Sequence, residues 1–252
     1  MEGVACRLGE VHSRISAAAA RAGRDPSSIH LIAVAKTATP TTLRAAWGAG
    51  QRDFGHNRVQ ALAHHHALLP PEARWHLIGP LQRNKARRAL ELADLIHTVA
   101  GEPLVARLER LLAEPEDRLR PPRPVLVQVN LTPEDGRAGC RREELEPLLE
   151  RIRAGGRLEV RGLMTLAPAG APAARLRRHF AGLRELAERA VQAGLLPERP
   201  ELSMGMSDDF EIAVEEGATL VRVGRAIFPP APALHDPPHP PPSPPPVPPP
   251  AP

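Results

Sequence analysis

Short apolar runs alternate along the chain with stretches in which apolar residues recur every three or four positions. The runs read as strands: HLIAVAK (30–36), RDFG (52–55), WHLIG (75–79), LIHTV (95–99), VLVQVN (125–130), VRGLMTL (160–166), ELSM (201–204) and TLVRVG (219–224). The stretches between them read as helices over 41–49, 58–68, 82–93, 102–113, 141–153, 175–193 and 208–216. A further helix is predicted over 2–22, broken off by Gly23 and Asp25-Pro26. Eight strands alternating with helices predict an α/β fold with a parallel sheet covered by helices. At this length the economical form is a single closed (β/α)8 TIM-type barrel, with the extra N-terminal helix lying where a helix after the eighth strand would sit. A doubly wound open sheet is the alternative. No G-x-G-x-x-G or G-x-x-x-x-G-K-S/T follows any predicted strand, which weakens a dinucleotide- or nucleotide-binding reading.

The pattern stops near Phe228. From Pro229 to Pro252, 15 of 24 residues are proline. Such a segment has few backbone donors and little apolar surface to bury, so it is expected to be a disordered, polyproline-type tail. The predicted organisation is a barrel domain over 1–228 and a tail over 229–252.

Composition changes this picture in a few places. A net charge of +4 and a pI near 9.9 would allow a nucleic-acid partner. The basic residues are interspersed with 29 acids and never form a run of about five, so they read as a solvated arginine-rich surface with no nucleic-acid role. Cys6 and Cys140 lie far apart and in no C-x-x-C pattern, against a disulfide framework or zinc site. No apolar run approaches about 18 residues and no basic stretch precedes an apolar one at the N-terminus, so no membrane association and a cytoplasmic setting are expected. The triplet His64-His65-His66 lies in a predicted helix, where adjacent residues do not share a face, so no metal site is expected there. EDGRAGC (134–140) reads as a flexible loop after the fifth strand. Lys85 reads as part of a basic first helical turn on the surface.

Barrels of this kind carry their chemistry at the C-terminal strand ends. Lys36, Asn57, Gly79, Thr98, Asn130, Met164, Ser203, Arg222 and Gly224 fall there. Lys36 is one of two lysines in the chain, against 31 arginines, and it ends an apolar run. On the strand face of Ile32 and Val34 its charged form would be disfavoured, leaving a neutral amine suited to Schiff-base chemistry. A strand-end lysine snorkelling to water is the other reading. After the last two strands come SMGMSDD, with Ser203, Gly205 and Ser207, and VRVGRA, with Gly224. Backbone N–H groups in such turns make an anion site. A lysine and a phosphate cradle on one barrel face point to pyridoxal phosphate or to a phosphosugar aldolase.

AVAKT, DFGHNRVQ, WHLIGPLQRNKAR, IHTV, RGLMTLAP and LSMGMSDDFEIAVEEGATLVRVGRAIF together resemble the pyridoxal phosphate homeostasis protein family, over residues 7 to 228 or so. The resemblance implies a stand-alone alanine-racemase-type barrel (fold type III). It implies pyridoxal 5'-phosphate held as an internal aldimine on Lys36. It further implies that Ser203, Gly224 and Arg225 lie around the phosphate, that Asn57 and Met164 line the pocket, and that Arg222 faces the pyridine nitrogen. No residue is assigned a catalytic role and none binds metal. His56 stands where the family usually carries glutamate, and it is either a titrating group near the cofactor or a surface histidine. The implied role is to hold, buffer or deliver the cofactor, with apo-enzymes as recipients and a monomeric state. A racemase-like enzyme is the alternative and a Schiff-base aldolase a further one. Racemases of this fold pair the lysine with a tyrosine and carry a further β-domain; this chain has no tyrosine, and a proline tail follows Phe228.

The tail's composition cannot offset the entropy of ordering it. Truncation after Phe228 is expected to leave the melting temperature and cofactor content unchanged; a clear loss of either would show that the tail packs on the barrel.

Overall fold

The computed structural model describes residues 3–115, 117, 119–132 and 138–228. The predicted tail (229–252) and most of the loop expected after the fifth strand (133–137) lie outside them. Among the described residues, eight strands close into a barrel in chain order: β1 (His30–Val34), β2 (Asp53–His56), β3 (Arg74–Leu77), β4 (Leu95–Val99), β5 (Arg123–Gln128), β6 (Leu158–Met164), β7 (Glu201–Ser203) and β8 (Leu220–Val223). Each neighbouring pair is parallel, and β8 returns to β1 with His30 opposite Leu220 and Ile32 opposite Arg222. The closed barrel settles the choice against an open sheet.

The helices are α1 (Val4–Arg21), α2 (Pro40–Gly48), α3 (Val59–His66), α4 (Ala86–Leu92), α5 (Glu102–Leu112), α6 (Leu145–Gly155), α7 (Ala173–Gln192) and α8 (Phe210–Glu215). α1 buries Val4, Leu8, Val11, Ile15, Ala18 and Ala19, a stripe at helical spacing, and packs between α8 and α2. It therefore fills the gap after β8, as its pattern predicted. Arg7 Nε fixes its start by donating to the Ile227 carbonyl at 2.8 Å. α2 opens on a reciprocal cap between Thr39 and Thr42, with Pro40 at its first position.

Strand pairing dictates two faces. Ile32, Leu95, Leu126, Met164 and Leu220 form a small apolar cluster inside the barrel. Alternate residues such as Leu31, Ala33, Phe54, Trp75, Val125, Val127 and Val221 join the large core between barrel and helices. β1 is shorter than HLIAVAK predicted. Its ladder partners end at Ala33 and Val34, so residues 35–37 turn into a single 3-10 turn closed by Ala38 N donating to the Ala35 carbonyl at 3.3 Å.

His56 occupies neither setting expected for it. Gly55 faces the barrel interior, where an added Cβ would lie 2.8 Å from Ile32 Cγ2. His56, the next residue, therefore points outward into the layer under α3. It is buried, stacks on Trp75, and its Nε2 lies 3.0 Å from Nδ1 of His65. His64 and His66 do not join them on a common point; no group of three metal-ligating side chains exists among the described residues. Burial, then the neighbouring His65, pulls the His56 imidazole down from 6.5 to about 3. His65 is also lowered, first by burial and then by His64.

Both folded-state pKa values lie below the unfolded one, so the unfolded state binds the extra protons. This contribution is complete above pH 6.5 and is lost as the pH falls toward 3. At pH 5 His56 alone is expected to cost on the order of 2 kcal/mol relative to neutral pH. Melting temperature should therefore fall between pH 7 and pH 5, and less steeply in His56→Leu. Identical slopes in the two proteins would contradict a neutral, buried His56.

Candidate functional site

The C-terminal mouth of the barrel is built from the turns that follow the strands. Lys36 lies in the 3-10 turn after β1, and its side chain is exposed. This corrects the expectation of a strand-borne lysine in a low-dielectric setting: the ladder ends two residues earlier, so the amine stands at the rim. The turn itself is fixed. Thr37 Oγ1 donates to the Phe228 carbonyl at 2.7 Å, which ties it to the segment after β8. A Cβ on Gly224 would sit 3.2 Å from both Cβ and the carbonyl oxygen of Val34, so β8 leaves the barrel tight against the start of the Lys36 turn.

The loops after β7 and β8 face each other. Gly205 has φ +89, and a side chain there would come within 2.6 Å of Ala213 Cβ, so only glycine suits the turn. Gly224 N points at Ser207 Oγ across the gap, 3.4 Å away. Among the described residues, the backbone N–H groups of Ser207, Asp208, Arg225 and Ala226 donate to no protein acceptor. Backbone donors left unused on two neighbouring turns are the chemistry that an anion site needs. Ser207, named in the sequence for the turn after the seventh strand, lies on this face, two residues after the left-handed Gly205. Arg225 extends into solvent and pairs with Asp208, both side chains well exposed.

Below these loops lies Arg222, buried in the barrel on the inner face of β8 opposite Ile32. Its Nη1 donates to Ser203 Oγ at 2.7 Å and its Nη2 to the Thr165 carbonyl at 2.9 Å. No carboxylate lies within salt-bridge distance of it among the described residues. Burial pulls its guanidinium down to about 10, with Asp209 opposing that pull, so it remains a cation at neutral pH. Ser203 is fully buried beneath Arg222, and its hydroxyl also meets His97 Nδ1 at 2.8 Å. The contacts continue downward: His97 Nε2 to His76 Nδ1 at 3.0 Å, then His76 Nε2 to Asp53 Oδ1 at 3.0 Å. Arg74 grips Asp53 with Nε and Nη2 at 2.7 and 2.6 Å. Burial alone would raise the Asp53 carboxyl, but the hydrogen bonds from His76 and Arg74, with the Arg74 charge, outweigh it and hold the group well below its usual range.

The other expected residues divide. Met164 ends β6 and is buried in the interior cluster, under the mouth. Asn57 is exposed just past β2, where its carbonyl leaves no room for a side chain at Gly79: a Cβ there would lie 2.2 Å away. Thr98 Oγ1 donates to the Gly79 carbonyl at 2.8 Å and so supports that wall. Cys140 is a free, buried thiol, pushed up to about 12 by burial and then by Glu144. Lys85 ends a short turn ahead of α4 and is partly buried. No helix among the described residues is long and apolar enough to cross a membrane.

The mouth thus brings together an exposed amine at Lys36, two loops with unused N–H donors and the buried cation of Arg222. A sequence model of the alanine racemase N-terminal domain matches residues 7–232. The pyridoxal phosphate homeostasis protein of Escherichia coli (strain K12) is 39% identical over 235 residues, which span 90% of this chain and 97% of that one. The protein of the same name from Pseudomonas aeruginosa PAO1 is 40% identical over 229 residues, 90% and 96% of the two chains. The solved structure of PipY from Synechococcus elongatus PCC7942 with PLP bound superposes with a TM-score of 0.77 at 39% identity, covering 89% of this chain and 99% of PipY.

Proposed function

The chain belongs to the pyridoxal phosphate homeostasis protein family, built on the alanine racemase N-terminal domain, and on that footing we propose that its barrel mouth binds pyridoxal 5'-phosphate and holds it for delivery. What supports this reading is the pair of loops after β7 and β8, where the N–H groups of Ser207, Asp208, Arg225 and Ala226 meet no acceptor among the described residues, next to Arg222, a buried cation with no carboxylate at salt-bridge distance among them. A phosphate dianion answers both: it accepts from the loops and lies in the field of Arg222. Ser207 and Gly224 bracket it, and Lys36 at the rim supplies the amine for covalent attachment.

When bound, the cofactor supplies an aldehyde for an amine and a ring that draws electrons from bonds to the attached nitrogen. The chain's own residues favour holding it over turnover. Arg222 is the group set against the ring nitrogen. A guanidinium only donates, so it keeps that nitrogen unprotonated and weakens the electron draw. Racemisation needs a second base opposite Lys36. The chain has no tyrosine, and His56 lies behind the barrel wall, bonded to His65. The recipients are enzymes lacking the cofactor, the setting is cytoplasmic, and the protein acts as a monomer.

Borohydride reduction of the loaded protein followed by peptide mapping is expected to place the pyridoxyl group on Lys36, and Lys36→Ala should abolish the visible absorption band. A label found only on Lys85 would sink the assignment. Gly224→Val adds a side chain where the β8 loop already touches Val34, so it is expected to displace the Gly224 and Arg225 N–H groups and weaken pyridoxal phosphate binding by about tenfold or more. Affinity equal to that of the native protein would put the phosphate elsewhere.

A further inference from the structure

Five side chains join into a continuous hydrogen-bonded file through the barrel interior: Arg222, Ser203, His97, His76 and Asp53. They come from β8, β7, β4, β3 and β2, and run from the C-terminal mouth to the opposite end, where Arg74 holds Asp53. The two ends are chemically one-sided. Arg222 can only donate and the Asp53 carboxylate can only accept.

That asymmetry fixes every hydrogen between them. Arg222 donates to Ser203 Oγ. The Ser203 hydroxyl then gives its hydrogen to His97 Nδ1, His97 Nε2–H donates to His76 Nδ1, and His76 Nε2–H donates to Asp53. With one hydrogen serving each link, each imidazole carries its hydrogen on Nε2. A proton added to His76 would make it a donor on both sides. His97 would then have to accept at Nε2 and donate from Nδ1, and the Ser203 hydroxyl, fully buried and already receiving from Arg222, would lose its acceptor. Burial above all, with the nearby Arg222 guanidinium, also holds His97 well below its usual value. The other charged groups near the lower end are Arg74, Glu201 and, around Glu201, Arg161, Glu159 and His30.

We propose that Asp53, His76 and His97 are positioning residues for the cofactor site, forming a one-way file of donors that orients Ser203 and aims the Arg222 guanidinium at the mouth. The target of that aim rests on the reading of the mouth as a pyridoxal phosphate site; the order of the hydrogens does not. The file also gives Ser203 a role distinct from direct phosphate contact: its oxygen and its hydrogen are both engaged below Arg222.

The order is tested by nitrogen-15 NMR of histidine-labelled full-length protein, with and without pyridoxal phosphate. His76→Gln and His97→Gln identify the signals. Both rings are expected as Nε2–H tautomers with a bare Nδ1 at neutral pH. An Nδ1–H tautomer or an imidazolium at either ring at neutral pH would overturn the file. Its positioning role is tested by titrating pyridoxal phosphate into the native protein, His97→Leu and His97→Gln. His97→Leu is expected to bind about tenfold more weakly with a shifted visible band, and His97→Gln, which can accept and donate, to recover most of both. Native-like affinity and band position in His97→Leu would overturn the positioning role. A native protein with the expected tautomers that binds no pyridoxal phosphate would instead remove the cofactor reading and leave the order of the file intact.

Discussion

A fully buried guanidinium without a carboxylate partner is the constraint around which the mouth of this barrel is organised. Arg222 remains charged at neutral pH. A charge so placed is tolerated only where hydrogen bonds satisfy it and nearby groups complement it. The barrel provides two neutral acceptors, Ser203 Oγ and the Thr165 carbonyl, and leaves the direction of the mouth uncovered by any acid in contact. The same requirement reaches through the interior, because the hydroxyl of Ser203 is itself held by His97, and His97 by His76 and Asp53. A polar file in a barrel interior is costly unless every member is satisfied, and here both ends terminate in groups of fixed character.

Backbone geometry completes what the side chains begin. Gly205 takes a left-handed conformation against Ala213 and Phe210, and Gly224 passes close to Val34. These two glycines let the loops after β7 and β8 approach each other, with Gly224 N 3.4 Å from Ser207 Oγ. Lys36 lies in an exposed turn because β1 loses its ladder partners at Val34, and Thr37 ties that turn to the segment after β8. The amine, the loops and the cation thus come from β1, β7 and β8, strands brought side by side by barrel closure.

Much of this was legible in the sequence. Period-two runs and helical stripes marked all eight strands and eight helices, because the barrel's inner and outer faces impose those periods directly. Lys36 stood out as a rare lysine after an apolar run, and Gly224 and Ser207 by their place in the last two turns. The side of the wall on which His56 lies was not legible: β2 is short, and Gly55 has no side chain with which to mark the inner face. The interior file was hidden for another reason. His76 and His97 each sit in an apolar strand and read singly as core histidines; only closure brings together residues as far apart in sequence as Asp53 and Arg222. The exposure of Lys36 depended on where the ladder stops, which apolar periodicity does not mark.

On the proposed reading, this mouth holds its cofactor to pass it on. The most direct measurement mixes the loaded protein, in one vessel, with an enzyme stripped of pyridoxal phosphate, and in another with L-amino acids in heavy water. Recovery of the stripped enzyme's activity and only slow deuteration at Cα are expected. Rapid appearance of the D-isomer, lost in Lys36→Ala, with no activation of the stripped enzyme, would contradict that reading.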